Sequence, residues 1–335
     1  EAVEETRKML EVYRAFAEDV LAMPVIAGEK PENERFPGAV NTYSIEAMMQ
    51  DGKALQAGTS HYLGTHFSEA QNIRFQNEAG EHVWCHTTSW GVSTRLIGGV
   101  IMTHGDDDGL RLPPAIAPKQ IVIVPMLRNK PEDADVLGYC EALASALGRE
   151  IAFNERIRVA LDTKDIKSAD KRWNWVRRGA PLILEIGPRD VTNGQVSFMR
   201  RDQLRDGDKV RSHSLSREQF VGEAAQLLTA IQVRLFSEAK TRLDSNIRSD
   251  IASFEALVDH FGAAGDEDEA SEFKGWVRAG WSRPSGAVLE KVEQRLKQLK
   301  LSIRNAPLGQ SEASLGKCIF TGEPAVQEVL IARAY

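Results

Sequence analysis

Residues 41–64 read NTYSIEAMMQDGKALQAGTSHYLG and indicate a pair of antiparallel strands. An Asp-Gly pair at 51–52 separates two segments, and Ile45, Ala47 and Met49 occupy alternate positions before it. Alternation places side chains of one kind on one face of a strand, and Asp-Gly suits a tight turn. We therefore predict a hairpin, which assigns the first part of the chain to an antiparallel sheet.

A second hairpin is predicted in the next stretch, IRFQNEAGEHVWCHTT at 73–88, where apolar residues flank a turn at 77–80. Two segments with helical periodicity surround the hairpins. Residues 1–20 place apolar side chains at four-residue intervals, and residues 91–104 read as a buried helix. The first helix lacks a cap and an initiator methionine, so we expect the chain to be part of a longer one. The apolar positions are Val12, Phe16 and Val20 in the first helix and Val92, Leu96, Val100, Ile97 and Ile101 in the second.

Strands and helices alternate after residue 118. The strands IVIVP, RIRVAL and PLILEIG are separated by helical segments, a pattern typical of an α/β domain. A long helix is predicted from about 217 to 261, then an acidic boundary at 262–272 and a helix at 287–301. We predict an α/β and α+β multidomain protein with domains at 1–117, 118–230 and 231–335.

Composition and charge exclude several classes of protein. The chain is 42% hydrophobic and 27% charged, without an apolar run of the length that a membrane helix needs, so we expect no membrane association. Its three cysteines, Cys85, Cys140 and Cys318, are widely spaced and favour the reducing cytoplasm over a disulfide framework. The net charge is −6, yet residues 156–211 contain fourteen Lys or Arg against eight Asp or Glu. This segment is either a polyanion-binding surface or a solvated helix face.

Arg95 stands inside the apolar run at 91–104. Burying an unpaired guanidinium is costly, so this side chain should meet an anion. Two anions remain open, a protein carboxylate and a phosphate, for which a planar group with five donors is well suited. The HGDDDG sequence that follows at 104–109 could form a metal cluster, but adjacent aspartates point in different directions, which favours an acidic turn.

The second candidate site is QAGTSHYLG at 56–64. Gly58 permits close approach of a ligand, and the segment is expected to open a helix whose N-terminus would attract an anion. A helix cap with a buried histidine is the alternative. The polar side chains that supply donors and acceptors are Gln56, Thr59, Ser60 and His61.

Together these stretches resemble the prolyl-tRNA synthetase family of the archaeal and eukaryotic-like type. The resemblance rests on TYSIEAMMQDGKALQAGTSHYLGTHF at 42–67, TTSWGVSTRLIGGVIMTHGDDDGLRLPPAIAPKQIVIVP at 87–125, LEIGPRD at 184–190, RRD at 200–202 and a terminal ARAY. The motifs occur in order over essentially the whole chain. The resemblance implies a class II antiparallel sheet with helices, then an α/β anticodon-binding domain and a small C-terminal α/β domain.

The family joins proline to ATP as prolyl-adenylate and transfers the proline to the terminal ribose of its tRNA. Alignment of the reacting groups and stabilisation of developing charge can supply most of the acceleration, with Mg²⁺ accompanying ATP. Arg95 matches the catalytic, phosphate-binding arginine of the third class motif, which lies within 89–117. By the same similarity, Gln56 and Thr59 contact ATP, and His61, Trp90 and Gly91 line the pocket for proline and the terminal adenosine.

Residues 119–228 resemble the anticodon-binding domain, which agrees with the local positive charge. Single-stranded bases are recognised by hydrogen bonds and stacking. Two alternatives stay open: Trp173 as part of the core, and Glu185 as an ion-pair partner of Arg189. The expected partners are proline tRNA, L-proline and ATP, with a homodimer for the complete enzyme. The candidate anticodon contacts are Lys171, Arg172, Trp173, Glu185 and Arg189.

The chain also departs from the family. The first two class motifs are absent, so we predict that this chain alone neither forms the adenylate nor charges tRNA. Many relatives have a four-cysteine zinc site, of which only Cys318 remains, with Thr321 at a second ligand position, so we expect no zinc. Tyr335 matches a terminal residue that folds back towards the active site, with a frayed end as the alternative. The alternative function is a non-catalytic synthetase paralogue that binds tRNA or acts in regulation.

Overall fold

The computed structural model describes residues 1–262, 273–310 and 315–335. It has mixed α/β architecture with antiparallel sheets and helices, which confirms the predicted fold class. The predicted acidic boundary lies outside the described residues except for Gly262. The division into three domains stays a prediction. The chain forms two compact units: unit 1 contains Glu1–Asp19, Met23–Gly99 and Ala239–Tyr335, and unit 2 contains Val20–Ala22 and Val100–Glu238.

Both predicted hairpins form in the first third of the chain. The turn at 51–52 joins the first pair of strands, and the turn at 77–80 joins the second. The elements are α1 (Ala2–Ala15), β1 (Val25–Glu29), β2 (Asn41–Met48), β3 (Ala54–Gly64), α2 (His66–Ala70), β4 (Arg74–Gln76), β5 (His82–Trp84), β6 (Thr87–Gly91) and α3 (Arg95–His104).

Two local predictions in this region are wrong. The segment at 56–64 does not open a helix but lies inside β3, because it pairs with β2 on one side and β6 on the other. In the first helical segment, two of the three predicted apolar positions face outward: Val12 of α1 is 48% exposed and Phe16, just after α1, is 40% exposed, whereas Val20 is partly buried. The buried residues of α1 are Thr6 and Leu10, since α1 packs against β3 and β6 through these positions.

The α3 helix forms as predicted, but only part of its apolar surface is buried. Leu96 and Val100 are buried, whereas Val92, Ile97 and Ile101 are exposed. The sequence therefore located this helix correctly and overestimated how much of it lies in the core.

The predicted α/β pattern is confirmed in unit 2. Its main sheet runs in the order β10-β7-β11-β12-β15, with β10, β7 and β11 parallel and the remaining pairs antiparallel. Every residue of IVIVP is buried, as expected for a parallel strand covered on both faces. The elements are β7 (Ile121–Pro125), α4 (Asp133–Leu147), β8 (Ile151–Ala152), β9 (Glu155–Arg156), β10 (Val159–Leu161), α5 (Ser168–Arg177), β11 (Leu182–Ile186), α6 (Pro188–Asn193), β12 (Gln195–Arg200), β13 (Arg205–Asp206), β14 (Lys209–Val210), β15 (His213–Ser216) and α7 (Arg217–Ser245).

The predicted long helix at 217–261 is interrupted. It ends at Ser245 because the next residues form a short strand, and the Asn246 carbonyl accepts a 2.9 Å hydrogen bond from the Trp276 amide. No helix in the described part of the chain is long and apolar enough to cross a membrane. The remaining elements are β16 (Ile247–Arg248), α8 (Phe254–Phe261), β17 (Trp276–Trp281), α9 (Gly286–Gln298), β18 (Ser302–Ile303), β19 (Ala306–Pro307) and β20 (Gln327–Ala332).

Two sheets organise unit 1. One runs in the order β19-β1-β2-β3-β6, and the other in the order β16-β17-β20-β18. The short strand β19 pairs antiparallel with β1, so a segment near residue 306 completes a sheet formed mainly by residues 25–91. This pairing brings the last part of the chain beside the candidate active site.

Candidate active site and candidate nucleic-acid interface

One face of the β1-β2-β3 sheet in unit 1 carries polar side chains at successive positions, and we call it the polar face. Directly opposed residues in antiparallel strands present their side chains on the same side of the sheet. Gln56, Thr59 and His61 are each partly buried, whereas Gly58 and Ser60 between them are buried. The cross-strand pairs of the polar face are Thr42 with His61, Ser44 with Thr59 and Glu46 with Gln56.

A β-bulge brings Gln56 onto the polar face. Ile45 pairs with Gly58 while Glu46 pairs with Gln56, so Ala57 has no direct partner. Without this extra residue, strict alternation would place positions 56 and 59 on opposite faces. The bulge therefore places Gln56 and Thr59, two of the predicted ATP contacts, on one side of the sheet.

Arg95 begins α3 and reaches the same strand. Its Nη1 donates a 3.2 Å hydrogen bond to the Gln56 carbonyl oxygen, and its amide donates a 3.3 Å bond to Ser93 Oγ. The side chain is exposed, so the premise that it is buried is wrong. No carboxylate among the described residues forms an ion pair with Arg95, which leaves most of its donors available for a ligand.

His61 is held in one orientation beside an aromatic ring. Thr42 Oγ1 accepts a 3.1 Å bond from the Phe36 amide, so its own proton is available for His61 Nδ1 at 3.0 Å. The hydrogen bond between Thr42 and His61 holds the ring beside β2. Burial lowers the pKa of His61 below its usual value, which keeps the ring neutral near pH 7. The Phe36 ring lies 5.0 Å from it, centroid to centroid.

The two predicted pocket residues of β6 lie on different faces. Gly91 pairs with Thr59 on the polar face. Trp90 pairs with Ser60, whose hydroxyl donates a 2.7 Å bond to the Thr6 carbonyl in α1. Trp90 is 47% exposed and lies on the α1 side of the sheet, so the structure does not bring it together with His61.

Sequence reasoning missed a buried group of charges beside this site. Glu46 on β2 contacts Lys30 and Arg304, and all three side chains are buried. Phe36 was missed as well, although it flanks His61. The sequence did contain one indication of these residues: Thr42, Ser44 and Glu46 occupy alternate positions of β2, a pattern that predicts a polar strand face.

The C-terminal residue is docked rather than frayed. The Tyr335 hydroxyl donates a 2.6 Å bond to Asp51, and its amide donates a 3.2 Å bond to the Ala54 carbonyl. Burial and the neighbouring carboxylate raise the pKa of Tyr335 to about 12. The tail therefore binds to the β2–β3 hairpin at Ala54, two residues before Gln56.

Cys318, the one remaining cysteine of the zinc pattern, is surrounded by polar groups that are mostly not zinc ligands. Ser282 and Thr321 hydroxyls lie 3.0 Å apart, and burial alone would raise the pKa of Cys318, yet hydrogen bonds from both hydroxyls lower it. In residues 1–262, 273–310 and 315–335, no three His, Cys, Asp or Glu side chains gather in a way that could hold a metal ion. The described residues therefore contain no group of side chains that could bind Mg²⁺ by themselves. Binding of Mg²⁺ stays a prediction from the chemistry of ATP.

The candidate anticodon contacts of unit 2 differ in accessibility. Lys171 is only 3% exposed, and its Nζ donates a 3.2 Å bond to the Asp162 carbonyl, so it belongs to the interior. Arg189 is exposed at the start of α6 and has no ion-pair partner among the described residues. Glu185 pairs with Arg172 at 3.2 Å rather than with Arg189.

Trp173 combines the two roles that the sequence left open. Its ring packs partly against the buried cluster around Val122 and Ile183. The guanidinium carbons of Arg172 and Arg205 also lie 5.6 Å and 5.5 Å from the ring centroid. The partly exposed surface of α5 and β11 therefore offers an aromatic ring and cations, the groups that single-stranded nucleic acids contact.

The HGDDDG segment forms the acidic turn that its sequence favoured. Asp106 and Gly109 exchange two backbone hydrogen bonds of 3.0 Å. Asp106 pairs with Arg201, and Asp108 pairs with Arg205 at 2.7 Å. These carboxylates are thus engaged by arginines within unit 2.

Known proteins resemble this chain over one domain and over its whole length. Residues 120–227 match the anticodon binding domain family. The full chain is 57% identical to a proline-tRNA ligase of Sphingomonas elodea and covers 64% of that protein. The chain is homologous over its whole length to proline-tRNA ligases. It is also 59% identical to the ligase of Sphingopyxis alaskensis, covering 62% of it, and 44% identical to that of Bdellovibrio bacteriovorus, covering 64%.

The chain thus spans a little under two thirds of the length of these ligases. The predicted resemblance to the synthetase family is confirmed, and these relatives are aminoacyl-tRNA synthetases. The roles of individual residues on the polar face and in unit 2 stay predictions.

Proposed function

We propose that this chain forms part of an enzyme that activates L-proline with ATP and transfers it to the 3′ end of proline tRNA. The observation that carries the proposal is homology to proline-tRNA ligases over all of the chain, at 57% identity to one of them. The gathering of Gln56, Thr59, His61 and Arg95 around one strand supports it.

The proposed chemistry needs binding and orientation rather than a protein nucleophile. The proline carboxylate attacks the α-phosphate of ATP, a P–O bond forms, and pyrophosphate leaves with the electrons of the bond that breaks. Arg95 holds the phosphates through the guanidinium donors that the Gln56 carbonyl does not use. The neutral His61 ring and Phe36 form a wall for the prolyl group. Such alignment and charge stabilisation can account for most of the acceleration.

Mg²⁺ would enter with ATP and neutralise phosphate charge. In unit 2, we propose that the surface around Trp173 and Arg189 binds the anticodon bases. A homodimer of the complete protein and a location in the cytoplasm belong to the same proposal.

Arg95→Ala tests the phosphate role in a form of the protein extended to the full length of the relatives. Proline-dependent exchange of pyrophosphate into ATP should fall about 100- to 1,000-fold, because the guanidinium acts on charge that develops in the transition state. Arg248→Ala is the matched control, since that exposed arginine pairs locally with Asp250. Circular dichroism should show both variants folded.

Exchange at the normal rate by Arg95→Ala would reject the phosphate role. Absence of exchange in the unsubstituted full-length protein, with selective binding of proline tRNA retained, would instead favour a non-catalytic paralogue. The chain of 335 residues is predicted to be inactive by itself, and the same assay tests this.

A further inference from the structure

Three buried charged residues of unit 1, Lys30, Glu46 and Arg304, form a cluster. Glu46 is 0% exposed. Its Oε2 accepts bonds of 3.0 Å and 2.8 Å from Arg304 Nε and Nη2. Its Oε1 accepts a 2.9 Å bond from Ser44 Oγ and lies 3.3 Å from Lys30 Nζ.

This cluster is expensive to bury and has no oxygen left over for a ligand. Desolvation of charged groups can cancel most of the attraction between them, so a buried ion pair is weak evidence for stability by itself. Both carboxylate oxygens of Glu46 are already engaged, so Glu46 is not placed to bind substrate. The position of the cluster in the sheet suggests another role.

Glu46 is the cross-strand partner of Gln56 at the bulge that leaves Ala57 unpaired. A bulge disrupts the hydrogen-bond ladder locally and sets the direction of the neighbouring side chains, so the pairs that flank it decide where those side chains point. The Gln56 carbonyl also accepts the hydrogen bond from Arg95. Any shift of β2 against β3 at this point would therefore move two of the three predicted ATP contacts, Gln56 and Arg95.

Arg304 belongs to the C-terminal part of the chain, which is clamped against β1 and β2 beside it. Asn305 Nδ2 donates a 3.1 Å bond to the Ile26 carbonyl. A Cβ at Gly28 would lie only 2.4 Å from Asn305 Cγ and 2.6 Å from the Ala306 carbonyl oxygen. The absence of a side chain at position 28 thus lets residues 304–306 lie directly on the sheet.

We propose that Glu46 is a positioning residue for the nucleotide site: held by Lys30 and Arg304, it fixes the bulge that orients Gln56 and Arg95. The C-terminal segment thereby becomes part of the ATP-binding apparatus although none of its clustered side chains contacts ATP. This inference rests on the proposed proline-tRNA ligase function.

The test is Glu46→Gln in the full-length protein, with KM for ATP and for proline measured separately by pyrophosphate exchange. The amide keeps the shape of the side chain but removes the charge that holds both cations. KM for ATP should rise at least fivefold, while KM for proline should stay within twofold because His61 lies beyond the bulge. Arg304→Lys keeps the charge but loses the pair of hydrogen bonds that Nε and Nη2 donate to Glu46. It should give a smaller rise of KM for ATP.

Val292→Ala is the matched control for a loss of stability alone. This buried residue of α9 lies in the apolar core of the same unit and is not a member of the charge cluster. It should lower the melting temperature without changing KM for ATP. An equal rise of both KM values in Glu46→Gln, or a rise of KM for ATP in Val292→Ala, would overturn the positioning role.

A folded Glu46→Gln with an unchanged KM for ATP would also overturn it. If Glu46→Gln does not fold, Arg304→Lys decides: a selective rise of KM for ATP supports the role, and an unchanged value rejects it. The unsubstituted protein is assayed first. Its failure to exchange pyrophosphate would reject the proposed function and this inference together, whereas normal exchange with an unchanged variant rejects only the inference.

Discussion

At the scale of single residues, the environment of each cation separates structural groups from groups available to a ligand. Lys171 and Arg189 are both basic residues in the positively charged segment of unit 2. Lys171 is buried against the Asp162 carbonyl, whereas Arg189 is exposed without an ion pair among the described residues. Only the second can change its partner without leaving a buried charge uncompensated.

Arg189→Ala should therefore reduce discrimination between anticodons more than it reduces overall affinity. The measurement is equilibrium binding to proline tRNA and to the same tRNA with its anticodon exchanged. A lost base contact should cost about 1–3 kcal/mol of discrimination. Arg149→Ala is the control, because this exposed arginine follows the C-terminus of α4 and its side chain bonds locally to Ser145. If Arg189→Ala weakens binding to both tRNAs equally, Arg189 contacts the backbone of the tRNA.

At the scale of elements, the C-terminal tail completes an edge of the β2–β3 hairpin. The Ala54 amide donates a 2.8 Å bond to the Arg333 carbonyl, and the Tyr335 amide bonds to the Ala54 carbonyl. The phenol of Tyr335 then closes the contact on Asp51. Three hydrogen bonds thus hold a segment that its sequence alone would allow to fray.

Tyr335→Phe should lower the free energy of unfolding by about 0.5–1 kcal/mol at pH 7, a modest loss because Tyr335 is 62% exposed. The pKa of Tyr335 is raised from 10.0 to about 12 in the folded chain, so its contribution is complete below pH 10. It should disappear as the pH rises from about 10 to about 12, when a phenolate would face the Asp51 carboxylate. Urea unfolding of both proteins at pH 8 and above pH 10 measures this, and a difference that does not shrink would contradict the contact.

At the scale of the whole molecule, the net charge of −6 conceals an uneven distribution. The basic excess lies in residues 156–211, inside the part that matches the anticodon binding domain family. Several of these cations are paired with Asp or Glu, including Arg201 and Arg205. The unpaired positive charge of this segment is therefore smaller than a count of basic residues indicates.

Binding of this chain to proline tRNA should weaken by about 50-fold between 50 and 200 mM salt, as expected if roughly four phosphates are neutralised. The preference for the proline anticodon should change much less, because base contacts release few counterions. Fluorescence anisotropy at a series of salt concentrations gives the slope. Affinity independent of salt would exclude a basic RNA surface in unit 2.

The sequence by itself determined the elements whose pattern is local and the family to which the chain is homologous. The Asp-Gly turn, the buried IVIVP strand and the polar motif at 56–64 needed no distant partner to be recognised, because turn residues and hydrophobic periodicity act over a few positions. The motif was still assigned to a helix start, since nothing in those nine letters indicates that strands pair with it on both sides.

Only the tertiary structure decided which polar groups are buried, paired or free. Pairing with residues far along the chain ended the long helix at Ser245 and placed Trp90 on the opposite face from His61. It also joined Glu46 to Arg304 across more than 250 positions of the sequence. Such contacts depend on strand register and on the packing of distant segments. Neither can be predicted from the periodicity of the residues that form the contacts.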